Sequence, residues 1–516
     1  MKPVNTQQCP PLDTSPRTTA WPRWALSSLA LATLLASLGA SVAAVALPAL
    51  AHGLNASFQA VQWVVLAYLL AITTLIVSVG RLGDLLGRRR LLLAGILLFT
   101  LASAVCGLAP SLGWLVAGRA FQGLGAAIMM TLTLALVGEL VDKDRTGSAM
   151  GLLGTLSAVG TALGPSLGGT LIEGFGWQAI FLLNVPLGLL TLLLAWRFLP
   201  ARASATSTDS IRFDIPGTVL LAMALGAYAL AMPQGRGHFD GTHAALLALA
   251  ALCVGLFIRV QKQAISPLIP LGLLRDRPMV GGLATNALVA TVMMATLLVG
   301  PFYLAIALGL PATQVGLALA VGPATTALSG VPAGRLVDRF GAGTIRLIGL
   351  AIMLLGCVGL TLLSASLGTT GYIATIMVTT VGYALCQTAN NTAVMAEIPA
   401  SRRGVISALL NLSRNLGFFT GASVLGAVFA AALPTNGIGA ATAQAVTNGL
   451  NFTFAVASLL LVLALGIALR SRVPEPFREV EASPPRQGWQ YDFQCPSHDA
   501  DQKKVNQSQN GLKKAT

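Results

Sequence analysis

The chain has 516 residues, 55% of them hydrophobic and only 10% charged, with a formal net charge of +14. Soluble domains carry roughly 25% charged residues, so a single water-exposed core is excluded and a bilayer is the natural solvent. The basic residues recur loop by loop rather than gathering on one element. That argues against a nucleic-acid surface and for a multispanning protein oriented by its loops.

A spanning helix needs about 20 apolar residues. In chain order the apolar runs predict an all-α membrane protein with fourteen transmembrane helices, near 25–50, 59–79, 91–109, 112–138, 147–172, 177–198, 214–232, 243–260, 278–308, 312–333, 344–366, 371–395, 404–431 and 447–469. The first run is too long for the 7–15-residue core of a signal peptide, so it reads as an uncleaved helix. With the N-terminus inside, the inner loops hold Arg81, Arg88, Arg89, Arg90, Lys143, Arg145, Arg335, Arg339, Arg402 and Arg403, among others. The outer loops hold only Arg236. This split predicts cytoplasmic termini and a multi-pass protein of the inner (cytoplasmic) membrane.

An internal repeat organises the spans. Gly80, Asp84 and Gly87 return as Gly334, Asp338 and Gly341, an offset of 254; Gly147, Gly160 and Gly164 return as Gly404, Gly417 and Gly421, an offset of 257. The first six spans therefore match the last six in the same direction. The expected organisation is an N-terminal tail over 1–24, a six-helix bundle over 25–200 and a two-helix insert over 213–262. A second six-helix bundle over 277–470 and a disordered tail over 471–516 follow. Parallel repeats of this kind place a substrate site between the halves and work by rocking one against the other.

Several stretches carry chemistry or its absence. GRLGDLLGRRR (80–90) and GRLVDRFG (334–341) are charged, glycine-punctuated turns. Their glycines are expected to permit a tight turn and close backbone approach. GTALGPSLGG (160–169) is small on several faces and holds Pro165, which suits a closely packed, bent helix. GPSLG also matches a nucleophile-elbow pattern, but Ser166 lies in an apolar helical run and the four histidines lie in loops or tail. That excludes the hydrolase reading, and no phosphate-binding loop of the GxxxxGK[ST] type occurs, so no ATPase is expected. The six cysteines follow no disulfide or metal spacing. No cofactor and no metal are expected.

These stretches resemble the major facilitator superfamily, in its fourteen-span drug:proton antiporter branch. The likeness rests on GRLGDLLGRRR, WLVAGRAFQGLGAA (114–127), GLLGTLSAVGTALGPSLGG (151–169), QWVVLAYLL (62–70) and GWQAIFLLNVPLG (176–188), five motifs in the family's order. It implies a secondary exporter of small organic molecules, an inner-membrane multidrug-efflux antiporter rather than an enzyme. The expected partners are a small-molecule substrate, protons and the lipid bilayer, with no nucleic acid, and the chain is expected to act as a monomer. The resemblance also implies a cytoplasmic gate at Gly80, Asp84, Gly87, Arg88, Arg89, Gly334, Asp338 and Arg339. In that gate Asp84 latches the halves against the start of span thirteen near Gly404. Arg119, Gln122 and Gly123 are implied in coupling. Gly160, Gly164, Pro165, Gly168 and Gly169 form the antiporter-motif helix.

Arg119 lies about 12 Å along its span at 1.5 Å per residue, and an intramembrane charge is a functional-site hypothesis by default. Gln62, Tyr68, Asn184, Gln387, Asn390, Asn391 and Arg414 are candidates to line the path, although polar groups in lipid more often join helices. The chain departs from the family in the loop, with Leu85 where an arginine is usual and Ala342 and Gly343 in place of the second copy's arginine pair, and again in the first span. Where the first span often carries an aspartate and an asparagine, it has Gly39 and Ala44. Every acidic residue, Glu173 included, falls in a loop or at a span end. Coupling is then expected to use a span-end carboxylate such as Glu139, Asp214 or Glu397, or the substrate itself, or to be absent. The alternative reading is an exporter of anionic or zwitterionic metabolites with atypical or no proton coupling.

Overall fold

The computed structural model describes residues 20–76, 78–140, 143–200, 214–231, 241–264, 276–363, 367–395, 403–433 and 442–471. All regular structure among them is helical, as lipid demands of a chain that must satisfy its backbone internally. The expected tails over 1–19 and 472–516 lie outside the described residues.

The first helices are α1 (Ala20–Gly53), α2 (Phe58–Leu75), α3 (Ser78–Leu86), α4 (Arg88–Gly107), α5 (Leu112–Leu140) and α6 (Lys143–Phe175). They are followed by α7 (Ala179–Leu182), α8 (Asn184–Phe198), α9 (Ile215–Ala231) and α10 (Gly241–Gln263). The last third holds α11 (Arg277–Phe302), α12 (Ala312–Phe340), α13 (Ala342–Thr361), α14 (Gly368–Met395), α15 (Arg403–Thr420), α16 (Gly426–Ala431) and α17 (Ala443–Arg470). Single π-helical turns, Tyr303–Ala307 and Gly421–Leu425, follow α11 and α15. Among the described residues eleven helices are long and apolar enough to cross a membrane, and Ile215–Ala231 is a shorter apolar helix.

The repeat seen in the sequence is also a repeat of packing. α1 packs on α6 as α11 packs on α15; α4 on α5 as α13 on α14; α4 on α8 as α13 on α17. The α4–α5 crossing is made by Gly95 and Gly125, where a Cβ on Gly125 would lie 2.8 Å from the Gly95 carbonyl oxygen. The same two offsets lead to Gly349 and Gly382, where a Cβ on Gly382 would lie 2.7 Å from the Gly349 oxygen. Small residues at both crossings let the backbones touch, which is how helices associate where lipid supplies no hydrophobic drive.

The charged turns are tighter than their sequence implies. Helix continues through Leu86 and restarts at Arg88, so one residue, Gly87 at φ 88°, makes the whole break. Gly341 at φ 81° does the same between α12 and α13. This left-handed region is where glycine is needed. Gly80 and Gly334 were expected to serve close approach, but a Cβ on either would meet nothing within 4 Å.

The insert helices α9 and α10 pack on each other, and α9 packs on α2. Ser78 Oγ and Thr218 Oγ1 share a hydrogen bond of 2.9 Å. Tyr228 lies with its ring 6.2 Å from that of Phe419 on α15. α9 thus touches helices of both repeats.

Candidate functional site

Arg119 is fully buried. Its Nε donates to the Val64 carbonyl at 2.9 Å, and Nη1 donates to the Gly39 carbonyl at 3.0 Å and to Gln122 Oε1 at 2.5 Å. The guanidinium lies 4.1 Å from the centre of the Tyr68 ring, a cation–π distance. Gln122 passes the network on to Ser103 Oγ at 2.7 Å, and the Tyr68 hydroxyl donates to the Ala36 carbonyl at 3.1 Å. One arginine on α5 therefore ties α1, α2 and, through Gln122, α4. Its acceptors are carbonyl and amide oxygens, with no carboxylate among them. Gly123, one turn on, lets α5 approach α2, since a Cβ there would lie 2.9 Å from the Ala71 methyl.

Gly39 explains how this came about. A Cβ on it would sit 2.7 Å from Phe99 Cζ, so the Phe99 ring fills the space that a side chain would need. Gly39 keeps only its carbonyl for Arg119.

The glycine-rich helix α6 has two working faces. Gly160, Gly164 and Gly168 face α1, where added Cβ atoms would meet Ser37 Cβ at 3.1 Å, Ser41 Cβ at 2.9 Å and Val42 Cγ2 at 3.0 Å. Gly169, one residue and about 100° further round, faces α12. There it meets Gly316, each Cβ position lying 3.1 Å from the other glycine's Cα. A Cβ on Gly316 would also strike the Pro165 carbonyl. In the second repeat, Gly417 and Gly421 approach Ala290 and Met294 of α11 as Gly160 and Gly164 approach α1.

The α6–α12 crossing belongs to a larger closure at the end opposite the arginine-rich turns. Phe58, Phe302 and Phe429 form a buried triad with centroids 5.0, 5.1 and 6.2 Å apart. Gln62 Nε2 donates to the Ala422 carbonyl in the π-turn. Glu173 Oε2 accepts from the Thr313 backbone N–H at 3.2 Å, in the first turn of α12, where the helix dipole favours a carboxylate. Aromatic, amide and carboxylate groups of α2 and α6 thus meet α11, α12, the π-turn and α16 at one end. Glu173 was classed from sequence as a loop acid; its reach to α12 had no signal in the chain.

The candidate path residues divide by partner. Asn390 is buried and donates to the Gly282 carbonyl of α11 at 3.1 Å, and Asn184 is buried and donates to the Ile180 carbonyl of α7 at 3.4 Å. Gln62 and Tyr68 serve the contacts given above. Gln387, Asn391 and Arg414 are only partly buried and lie on α14 and α15 with Tyr383 and Asn411. Arg414 Nη2 donates to Asn411 Oδ1 at 2.9 Å, and Gln387 Nε2 to Asn391 Oδ1 at 3.4 Å. Of the charged turns, Arg89 Nη2 donates to the Trp196 carbonyl at 2.6 Å, while Asp338 and Arg339 are exposed. The side chains of Asp84, of its expected partner near Gly404 and of the coupling candidate Glu139 are not described, and Glu397 lies outside the described residues. Asp214 is committed to the insert: it accepts from Gly217 N at 2.9 Å and Gln261 Nε2 at 2.5 Å, capping α9 and holding α10.

This is an integral-membrane helical protein whose two repeats meet across a seam, with polar residues on the repeat-facing helices. The profile of the Major Facilitator Superfamily matches residues 29–422, and the chain belongs to that family. The transporter YebQ of Escherichia coli (strain K12) is 33% identical over 85% of this chain and 93% of its own length. Multidrug resistance protein Stp of Mycobacterium tuberculosis (strain CDC 1551 / Oshkosh) is 33% identical over 79% of this chain and 75% of its own. Among solved structures, an inward-facing, unoccupied bacterial homologue of the human lysosomal transporter Spinster superposes with a TM-score of 0.65. It is 16% identical and covers 89% of this chain and 100% of that one. The protein is a multi-pass membrane transporter, not an enzyme.

Proposed function

We propose that the protein is a secondary exporter of small organic molecules, working by alternating access and coupled to protons. Two six-helix bundles, 25–200 and 277–470, move against each other, with the α9–α10 insert between them. The fourteen-span topology follows when α2 with α3, α7 with α8, and α15 with α16 each count as one crossing. The arginine-rich turns then face the cytoplasm, as do both termini, and the closed end is the outer one. The protein acts as a monomer in the inner membrane.

One observation carries this reading: two repeats sealed at one end by groups that can part. The seal consists of a backbone-to-backbone glycine crossing, three aromatic rings and two hydrogen bonds, without a covalent or metal link among the described residues. Sealing the outer end leaves the cavity open to the cytoplasm, where an exporter loads. The multidrug resistance protein among the relatives supports efflux as the direction.

A second reading, an anionic or zwitterionic substrate, is favoured because the described carboxylates all lie at helix ends while Arg414 is a partly buried cation within α15, with no carboxylate partner among the described residues. Both readings are tested in sealed vesicles carrying the purified protein. A panel of cationic and anionic dyes is offered with an imposed pH gradient, and dye and proton movements are followed together. Transport of any dye supports the exporter, and transport without proton movement for every dye removes the antiport.

A further inference from the structure

Two sets of polar residues on α14 and α15 behave differently. One set is sealed and bonds across helices. Asn390 donates to the Gly282 carbonyl at 3.1 Å, Ser413 to the Leu283 carbonyl at 2.5 Å, and Asn286 of α11 to the Leu410 carbonyl at 2.8 Å. These are the inter-helix joints expected of polar groups in lipid.

The other set is neither sealed nor exposed, and its bonds stay within its own helices. Tyr383, Gln387 and Asn391 recur every fourth residue, one stripe along α14. Asn411 and Arg414 lie on α15, which packs beside it. Gln387 bonds Asn391, Asn411 bonds the Ser407 carbonyl, and Arg414 bonds Asn411. Tyr383 lies within electrostatic reach of Arg414. Among the described residues these side chains make no hydrogen bond between helices, which leaves their remaining donors and acceptors for something that enters between the repeats.

The charge selects what enters. Among the described residues Arg414 has no carboxylate partner, and its Nε is shielded from solvent without any hydrogen bond. An intramembrane cation is costly and marks a substrate or ion pathway. A guanidinium offers a planar fork of donors that matches a carboxylate two bonds at a time. Across the seam α15 packs on α2, and α2 (Phe58–Leu75) carries no charged residue to compete for Arg414.

We propose that the α14–α15 face formed by Arg414, Asn411, Tyr383, Gln387 and Asn391 seats the carboxylate of the transported molecule, so that the substrate class is an organic acid. This rests on the exporter reading and sharpens it. Arg414 takes the carboxylate, and the stripe on α14 supplies donors and acceptors to the polar groups beside it.

The test uses full-length protein in nanodiscs and a matched pair of probes, a fluorescent aromatic carboxylic acid and its methyl ester, with binding followed by anisotropy. Wild-type protein is expected to bind the acid at least tenfold more tightly than the ester. Arg414→Gln removes that preference by weakening the acid alone, while Arg414→Lys keeps part of it. Gln387→Glu, which keeps the arginine but gives it an internal carboxylate, also weakens the acid. Three results overturn the assignment: no acid preference in the wild type, an unchanged acid affinity in both Arg414→Gln and Gln387→Glu, or equal loss of acid and ester. The vesicle experiment separates the two levels. If a dye is exported while the acid preference fails, the exporter reading stands and this seat falls; if no dye moves, the exporter reading itself falls.

Discussion

At the scale of single residues, the fate of the missing acid in the first span is decided by Phe99. The Phe99 ring occupies the space over Gly39, and Arg119 donates to the Gly39 and Val64 carbonyls instead. The arginine acts here as a stitch among four helices. Replacing it by lysine loses the fork that bonds α1, α2 and Gln122 at once. We expect Arg119→Lys to cost on the order of 2–4 kcal/mol from lost charge-assisted bonds and imperfect filling, read as a lower melting temperature in detergent. An unchanged melting temperature with lost transport would instead make the residue a coupling group and not a stitch. The same geometry makes restoring the family aspartate a two-residue problem. Gly39→Asp alone overpacks against Phe99, about 1–3 kcal/mol. Gly39→Asp with Phe99→Ala opens the space and places a carboxylate beside Arg119. The double variant is expected to melt higher than Gly39→Asp alone; if it melts lower, Phe99 is not the obstacle.

At the scale of elements, α6 separates folding from gating by one residue. Its Gly160, Gly164 and Gly168 face α1 within a repeat, and Gly169 faces α12 across the seam. A bulky residue at 160 opposes assembly of the first repeat. One at 316 opposes only closure of the seam, because a side chain there strikes the Pro165 carbonyl. We therefore expect Gly160→Leu to lower the yield of folded protein severely. Gly316→Val should leave folded yield and melting near wild type while abolishing transport. Equal folded yields for the two variants would show that the faces do not divide the work. The sequence made the glycines visible but not their division, because a 100° step along a helix acquires meaning only from the neighbour it turns toward. Apolar length announced the helices themselves, and the repeated glycines announced the repeat, since both are local signals. The single-residue breaks at Gly87 and Gly341 were hidden within a longer charged motif. Tyr383 was hidden in an apolar run, where only its neighbours Arg414 and Gln387 give it a role. Asn390 and Asn391 are adjacent and alike in sequence, yet one is a joint to α11 and the other bonds only within α14.

At the scale of the whole molecule, the seal between the repeats carries one group that titrates at its surface. Glu173 on α6 is exposed, and hydrogen bonds from the side chain and backbone of Thr313 hold its carboxyl below the usual carboxylate range. The sign follows directly. A carboxyl whose pKa is lowered in the closed state favours closure fully at pH values above its ordinary range. That contribution is lost as the pH falls through the lowered value. The helices packed on α6 are α1, α5, α7 and α12. Toward this end their charged or titratable groups are His52 on α1 and the buried Arg119 on α5. Acid on this face therefore loosens the seal, the direction in which an entering proton would open an exporter to release its load. Val61, fully buried on α2 beside the closure, is a position from which to read it. In a variant with Val61→Cys as its sole cysteine, an impermeant maleimide outside the cell should label faster as external pH drops through the carboxylate range. Glu173→Gln should label fast already at neutral pH, with a flat profile. A pH profile unaltered by Glu173→Gln would remove Glu173 from the gate.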